Sequence, residues 1–270
     1  MLRAILAATE FSAKCNAALS AAVELAAHLK AELTLVHVSP DGEAGRGALL
    51  QAAETHKAKS RLGSGEPARF ILETAREEAA DLVVLGAPVR RSVGDVLLGT
   101  TAERVIRQSP VPVLMAVGAT TRPYRKVMLA TDFSEASEHA VAALKKTGLA
   151  GDALIQLVNI YETPEIALMM RAGTTTAQIN NYVVEQGRVA AAKLSEFDRR
   201  TSAGATSLIP KLGEVSTGRV LCTLATETGA DLIVVGTQGH TGIKRLVLGS
   251  VAQEVLRLSE VDVLAVPAAA

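Results

Sequence analysis

The sequence contains no tryptophan, few other aromatic residues and no excess of charge of either sign. Aromatic side chains make up 3% of the 270 residues, too few for the base-stacking surfaces of proteins that bind single-stranded nucleic acid. Lysine plus arginine and aspartate plus glutamate number 28 each, so a basic face for DNA, RNA or an anionic membrane is not expected. Nucleic acid and membrane are therefore not expected partners.

Cysteine is also scarce, since Cys15 and Cys222 are the two in the chain and lie far apart. Neither has the Cys/His spacing of a metal site, and the histidines show no ligand spacing, so we expect no metal held by protein ligands alone. The pair is typical of small buried side chains in a reducing compartment, which predicts a cytoplasmic protein.

Long apolar runs are missing too, and none approaches the roughly 20 residues of a membrane span. The apolar segment at residues 2–8 resembles a signal peptide, but it is short and ends before Glu10. A near copy occurs in mid-chain, so we expect this segment to form a strand.

The chain is an internal repeat. RAILAATEFS at residues 3–12 aligns with RKVMLATDFS at 125–134, at an offset of 122 residues. Farther along, DLVVLG at 81–86 aligns with DLIVVG at 231–236, now at an offset of 150. A period this long indicates two domains of similar fold rather than a solenoid. We assign them to residues 1–118 and 124–270.

Strand and helix patterns alternate within each half, which predicts a parallel sheet with helical crossovers. The fold class is therefore α/β, with two tandem doubly wound (Rossmann-like) domains of five-stranded parallel sheets. The third strand of the first half appears in so short a segment that we expect it to be vestigial. We predict strands at 2–8, 32–38, 59–62, 81–85, 111–117, 125–131, 153–160, 206–212, 231–235 and 261–266, and helices at 13–30, 47–58, 66–79, 100–108, 135–148, 176–202, 216–228 and 250–258.

A glycine-rich stretch follows the buried strand at 231–235. Gly236 and Gly239 end that strand, and Gly249-Ser250 opens a helix. Glycine allows a close approach of the backbone and positive φ, and the amides of a first helical turn attract anions, so the pattern is typical of a phosphate site. The alternative is structural, because Ser250 with Gln253 also fits a helix capping box.

These segments together resemble the universal stress protein family in a tandem form. The features that carry the resemblance are the strand ending ATDFS at 130–134, the strand ending LVNI at 157–160 and the glycine stretch. The resemblance covers almost the whole chain and implies a fold like that of the adenine nucleotide alpha hydrolases.

The resemblance implies an ATP site with Mg²⁺ or Mn²⁺ in the second half. Asp132 would contact ribose or adenine, with an N-cap of the next helix as its alternative role. His240, Lys244 and Arg245 lie in the loop and would face the γ-phosphate or solvent. The implied nucleotide contacts are Ala130, Thr131, Asp132, Ile160, Val235, Gly236, Gly239, Gly249, Ser250 and Val251.

The first half departs from this pattern. Val89 replaces Gly239, proline precedes it at position 88, Glu10 replaces Asp132, and Asp95 stands where the second half has Arg245. A β-branched residue resists positive φ and proline removes an amide, so anion binding should be lost there. The helix start is expected to persist, with a capping box at residues 100–103.

We therefore expect a stress-response protein whose C-terminal domain binds ATP as a regulatory or signalling module. A slow ATP hydrolase and an interaction module that binds no nucleotide are the alternatives, and no catalytic residue is assigned because no Walker motif or obvious base is present. The apolar last strands of both halves should pair the domains as an intramolecular pseudo-dimer. A homodimer and an unidentified protein partner remain open. The methionines at 169–170 would either cover the adenine pocket or pack in a helix.

Overall fold

A computed structural model describes residues 2–11, 16–87, 100–118, 122–213, 215–238 and 248–268. Within them the strands are β1 Ala4–Ala8, β2 Glu32–Ser39, β3 Lys59–Ser64, β4 Leu82–Gly86, β5 Val113–Ala116, β6 Lys126–Ala130, β7 Leu154–Tyr161, β8 Ser207–Leu212, β9 Leu232–Gly236 and β10 Asp262–Val266. The helices are α1 Asn16–Leu29, α2 Arg46–His56, α3 Pro67–Glu77, α4 Thr100–Gln108, α5 Glu135–Thr147, α6 Glu165–Arg171, α7 Thr176–Thr201, α8 Thr217–Thr228 and α9 Ser250–Leu258.

All ten strands form one sheet in the order β3-β2-β1-β4-β5-β10-β9-β6-β7-β8. Neighbouring strands are parallel except β5 and β10, which pair antiparallel. The α/β class and the doubly wound, five-stranded halves are thus confirmed. In each half the strand order reverses beside the first strand, between β1 and β4 and between β6 and β9. These two places are the topological switch points, where such sheets bind ligands.

Helices cover both faces of the sheet, which explains why its central strands are continuous apolar runs. One face packs against α1, α2, α5 and α7, and the other packs against α3, α4, α8 and α9. Four consecutive residues of β9, Leu232 to Val235, are each at most 2% exposed. Within the described residues, no helix is both long and apolar enough to cross a bilayer.

The antiparallel contact of β5 with β10 relates the two halves by a pseudo-two-fold axis. Leu114 lies opposite Leu264, and the flanking pairs, Val113 with Ala265 and Met115 with Val263, exchange with one another. Exchange of this kind defines an isologous contact. The predicted pairing of the halves through their last strands is therefore confirmed within the chain, and it leaves the carboxyl ends of the two sets of strands at opposite edges of the sheet.

A buried ionic network holds the linker at this junction. Asp262 is fully buried and accepts hydrogen bonds from Val117 N at 2.9 Å, from Tyr124 Oη at 2.8 Å and from the guanidinium of Arg122. Arg122 is itself 2% exposed in its side chain and lies 3.4 Å from Glu24 on α1. Burial lowers the pKa of Arg122, but the charge of Asp262 and the interactions with Tyr124 together outweigh this, so the guanidinium pKa lies above its usual value.

Two expectations were wrong, and one helix was not predicted. Strand β3 is not vestigial, because it pairs with β2 over six residues, as many as β8 pairs with β7. Helix α6 was not predicted, and none of its residues is buried. The methionines at 169–170 therefore do not pack in a core, and the side chain at 170 is 65% exposed. The capping box at residues 100–103 stays a prediction, because the residue before α4 lies outside the described residues.

Candidate functional site

A cavity of about 290 Å³ lies at the carboxyl ends of β6, β7 and β9, beside the switch point of the second half. Its size is at the lower end of the range for small-molecule sites, which is roughly 300–1,000 Å³. The lining is mostly apolar with a few polar groups. It consists of Ala130, Thr131, Asp132, Ser137, Val158, Ile160, Thr217, Leu221, Val235, Gly236, Gln238, Gly249, Ser250, Val251 and Ala252.

All the predicted nucleotide contacts that the structure describes line this one cavity. They come from three segments that are distant in sequence, namely residues 130–132, Ile160, and the stretch from Val235 through the start of α9. The strand order brings them together, because β6 lies between β7 and β9. Gly239 and the loop charges at 240, 244 and 245 lie outside the described residues, as do Pro88, Val89 and Asp95.

Asp132 is held in one orientation at the rim of the cavity. Its Oδ1 accepts hydrogen bonds from Ser134 N at 3.1 Å, from the Ser134 hydroxyl and from the Ser137 hydroxyl at 2.7 Å. The N-cap of α5 is Ser134, whose Oγ accepts from Ser137 N at 3.3 Å. The alternative role of Asp132 as the N-cap is therefore not observed, and the carboxylate instead orients the residue that caps the helix.

The turn that carries Asp132 is strained and buttressed. Phe133 has φ of 66°, a conformation that non-glycine residues adopt only when the surroundings impose it. Its ring packs edge-to-face on Phe197 of α7, with centroids 5.9 Å apart. The Asn159 side chain donates to Thr131 O at 2.9 Å and fixes the other end of the turn. A rigid turn of this kind suits a side chain that must meet a ligand in one geometry.

The first half repeats this turn with different contacts. Phe11 also has positive φ, at 54°, but its ring packs on His37 with centroids 5.3 Å apart. His37 stands where the second half has Asn159, and its Nδ1 lies 2.8 Å from Thr9 O. The backbone geometry has therefore been kept in both halves, while the side chains around it have diverged.

Gly236 and Gly249 pack tightly against backbone atoms, and neither has positive φ. A Cβ on Gly236 would lie 3.3 Å from the carbonyl oxygen of Ala136, at the start of α5. A Cβ on Gly249 would lie 3.3 Å from Thr237 O, which accepts the Gly249 amide at 2.8 Å. Neither glycine has φ in the left-handed region, Gly249 having φ of −61°. Of the two properties of glycine that the sequence raised, close approach of the backbone applies at these two positions and positive φ does not.

Two helix N-termini border the cavity, and neither has a side-chain cap. Thr217 begins α8 and Ser250 begins α9, and both line the cavity. The N-cap of α9 is Gly249, so Ser250 lies one position too late to form the capping box that the sequence suggested. The N-cap of α8 is Ser216, whose hydroxyl donates to Glu254 at 2.6 Å instead of capping its own helix. Uncapped first turns attract anions.

The counterpart helix of the first half is capped by an acidic residue. Glu66 stands where the second half has Ser216, and its carboxylate accepts from Ala68 N at 3.2 Å and Arg69 N at 2.8 Å. Arg104, at the position of Glu254, pairs with the same carboxylate at 3.3 Å. A carboxylate thus occupies the amides and the positive end of the helix dipole in the first half.

Among the described residues that line the cavity, none carries a positive side chain. The described residues also hold no cluster of three or more His, Cys, Asp or Glu side chains that could bind a metal. Asp132 is the one carboxylate of the described lining. An anion here would be held by backbone amides and helix dipoles, and a divalent ion would have to bring most of its ligands with it.

Sequence reasoning missed several lining residues. Ser137 and Thr217 are first-turn residues of α5 and α8, and Gln238 follows the predicted Gly236. First-turn positions of helices that follow parallel strands could have been included, because those helices begin at the carboxyl edge of the sheet. The remaining missed residues are apolar and lie inside elements, namely Val158, Leu221 and Ala252.

Known proteins resemble this chain in sequence. The sequence pattern of the universal stress protein family matches residues 1–60, 43–116 and 123–267. A universal stress protein of Methanocaldococcus jannaschii is 27% identical over 147 residues, which cover 53% of this chain and 82% of that protein. A universal stress protein of Thermus aquaticus is 41% identical over 54 residues, which cover 20% of this chain and 39% of that protein.

Solved structures match the chain almost end to end. A putative universal stress protein of Pseudomonas aeruginosa UCBPP-PA14 superposes with a TM-score of 0.72 at 19% identity, over 98% of this chain and 93% of that one. A universal stress protein of Archaeoglobus fulgidus gives 0.65 at 18% identity, over 98% of both chains.

The fold and the position of the cavity define a tandem, doubly wound α/β protein with a cavity at its second switch point. With the family pattern matched over most of its length, the chain belongs to the universal stress protein family.

Proposed function

We propose that the C-terminal half binds one ATP in the cavity between β6, β7 and β9, and that ATP occupancy makes the protein a stress-response signalling module. The observation that carries the proposal is the convergence on one cavity of an apolar wall, an oriented carboxylate at Asp132 and two uncapped helix N-termini. Adenine would lie against the apolar wall, the ribose hydroxyls would bond Asp132, and the phosphates would face the amides of the first helical turns.

The asymmetry between the halves supports one site per chain. At α3, the counterpart of α8, the backbone amides of the first turn are not available to an anion. The Glu66 carboxylate accepts two of them, and Pro67 has no amide hydrogen. The negative charge would also repel a phosphate within the same helical turn. We therefore place no nucleotide in the first half.

The residues present fit Mg²⁺ or Mn²⁺ that arrives with the nucleotide. Mg²⁺ is usually bound through substrate phosphates and one or two carboxylates, and Asp132, which lines the cavity, would serve as an outer ligand or as the ribose contact. Bound in this way, the ion would neutralise phosphate charge. The chain contributes the rigid turn that fixes the Asp132 carboxylate.

A regulatory role is favoured over catalysis because the described lining contains no histidine, lysine or glutamate that could act as a general base. The Oδ1 atom of Asp132 is already engaged by two serine residues. The cytoplasmic location, the homodimer and the protein partner remain predictions from the sequence.

The test grafts the first half's helix cap onto the second half. Ser216→Glu, Thr217→Pro and Glu254→Arg together reproduce the Glu66–Arg104 arrangement at α8. Titration calorimetry with ATP and Mg²⁺ should give one site per chain in the parent protein. In the graft, affinity should fall at least about tenfold, which corresponds to about 1.4 kcal/mol.

The matched control is Glu66→Ser in the first half, which should leave both stoichiometry and affinity unchanged. Circular dichroism serves as the folding control. We expect the graft to fold, because the first half already has the same helix cap. Two equivalent sites, or a graft that binds ATP as the parent does, would contradict the proposal. Chromatography of the titrated nucleotide separates ATP from ADP and would reveal hydrolysis.

A further inference from the structure

The pseudo-two-fold axis makes the surroundings of β5 and β10 directly comparable on its two sides. On one side, the linker side chains of Tyr124 and Arg122 fill the space between Asp262 and α1. On the other side lies a cleft of about 300 Å³ between the start of β5 and helix α5. We call this the junction cleft. Its lining is Leu2, Asp81, Pro110, Val111, Pro112, His139, Ala142, Ala143, Lys146, Thr147, Val266, Pro267 and Ala268.

The cleft exists because the residues equivalent to Tyr124 and Asp262 are smaller or apolar on this side. In the alignment of the two halves, Leu2 is equivalent to Tyr124, and Pro112 is equivalent to Asp262. The hydrogen bond from Val117 N to Asp262 has no equivalent either, because its counterpart residues are Pro267 and Pro112. Proline has neither an N–H nor a carboxylate. The cleft therefore lacks both an aromatic ring like that of Tyr124 and a carboxylate like that of Asp262.

The charge of the cleft is also reversed. Lys146 on α5 stands at the position of Glu24 on α1, which pairs with the linker guanidinium on the filled side. Lys146 makes no ion pair with any residue in the described ranges. The nearby carboxylate of Asp81 is already bonded by the backbone amides of Arg3 at 2.8 Å and Ala4 at 3.2 Å. A ligand that enters beside Lys146 therefore meets a positive charge with no ion-pair partner in the described part of the chain, and a carboxylate that already accepts two hydrogen bonds.

We propose that the junction cleft binds a small apolar anion, an aromatic carboxylate of one or two rings. Its apolar body takes the place that the Tyr124 ring occupies on the other side, against Leu2 and Pro112, and its carboxylate faces Lys146. Most of the affinity comes from burying the ring, since Lys146 is exposed and an exposed ion pair contributes little. The lysine decides which sign of charge is preferred.

The absence of tryptophan makes the test direct, because an indole probe can be followed by its own fluorescence. Indole-3-acetate, indole-3-acetamide and tryptamine carry the same ring with a negative, a neutral and a positive tail. Anisotropy titrations of each against the full-length protein should rank the acid first and the amine last. Saturating ATP should leave these curves unchanged, because the nucleotide cavity lies elsewhere; this separates failure here from failure of the ATP proposal.

Two variants copy the filled side into the cleft. Leu2→Tyr should weaken the acid at least about tenfold by occupying its place. Lys146→Glu should weaken the acid about two- to fivefold and reverse the order of acid and amine, a readout that a purely structural role would not move. Lys145→Glu, on the same helix but lining a different groove, is the control and should change nothing.

The proposal is overturned if none of the three probes gives saturable binding, or if all three bind equally. It is also overturned if neither Leu2→Tyr nor Lys146→Glu alters binding, or if ATP displaces the acid. If Leu2→Tyr fails to fold, the reversal of charge preference in Lys146→Glu decides the matter by itself.

Discussion

Replacing Asp262 by alanine should be among the most destabilising single changes in this protein. The carboxylate is fully buried and bonds the linker, Tyr124 and the end of β5 at once. Its removal leaves the Arg122 guanidinium, 2% exposed, with Glu24 at 3.4 Å as its remaining ionic partner among the described residues. Glu24 is 42% exposed and compensates weakly. Removing one partner of a buried ion pair costs about 3–5 kcal/mol, which is the expected loss.

Two further variants separate charge from shape. Asp262→Asn keeps the volume and can still accept a hydrogen bond from Val117 or Tyr124, so the loss should be about 1.5–3 kcal/mol, the value of hydrogen bonds to a charged group. Arg122→Met removes the cation that needs a partner. The double variant, Asp262→Ala with Arg122→Met, should therefore be more stable than Asp262→Ala alone.

Guanidinium denaturation of the full chain, followed by far-ultraviolet circular dichroism, measures these differences as shifts in midpoint at constant slope. Glu24→Ala serves as the control for an exposed partner and should cost no more than about 1 kcal/mol. A loss below about 1 kcal/mol for Asp262→Ala would refute the reasoning, since an exposed pair would do as much. A double variant less stable than Asp262→Ala would refute it equally.

Three other outcomes are expected. Asp132→Ala should reduce ATP affinity in calorimetry and change the free energy of unfolding, measured by chemical denaturation, by no more than about 1 kcal/mol, because Asp132 caps no helix. Hydrogen bonds from the backbone amides three and two residues further on lower the pKa of Asp41 to about 2, so its contribution to stability is present above the unfolded pKa near 4 and is lost as the pH falls toward 2; carboxyl NMR titration checks this. Burial raises the pKa of Tyr124, and the Asp262 charge raises it further, so stability should decline as the pH rises above about 10, where the unfolded side chain ionises. Tyr124→Phe should flatten that decline in melts between neutral and alkaline pH.

The boundaries of most helices and strands were predictable, because hydrophobic periodicity and capping residues mark where they begin and end. The prediction of 250–258 for α9 agrees with its observed bounds, and β9 differs from its predicted range by one residue at each end. The seven-residue helix α6 was not predicted because it has no buried residue. Hydrophobic periodicity detects a helix only when one face of it packs. The importance of β3 was underestimated because three of its six residues are exposed and the one buried residue is Gly63, so the strand carries little hydrophobic pattern.

The site was predictable as far as repeated strand ends and glycines could mark it. What could not be read was the reason for the glycines. The need for glycine at Gly236 comes from the carbonyl of Ala136, a hundred residues earlier in the chain. Similarly, the difference between the halves at Glu66 and Ser216 depends on which atoms each side chain reaches. From sequence alone serine is the favoured cap, yet the glutamate caps its helix and the serine bonds Glu254 instead.

The short segment that joins β5 to β6 makes the contact between the halves intramolecular. A partner tethered by a short linker is present at an effective concentration in the millimolar range, however dilute the protein. The junction therefore does not need the affinity that a free dimer would need. In a symmetric homodimer every substitution appears on both sides of the axis. In a fused pair, Tyr124 and Asp262 can close one side while Leu2 and Pro112 leave the other open, so one gene can encode two different surfaces at a single symmetric contact.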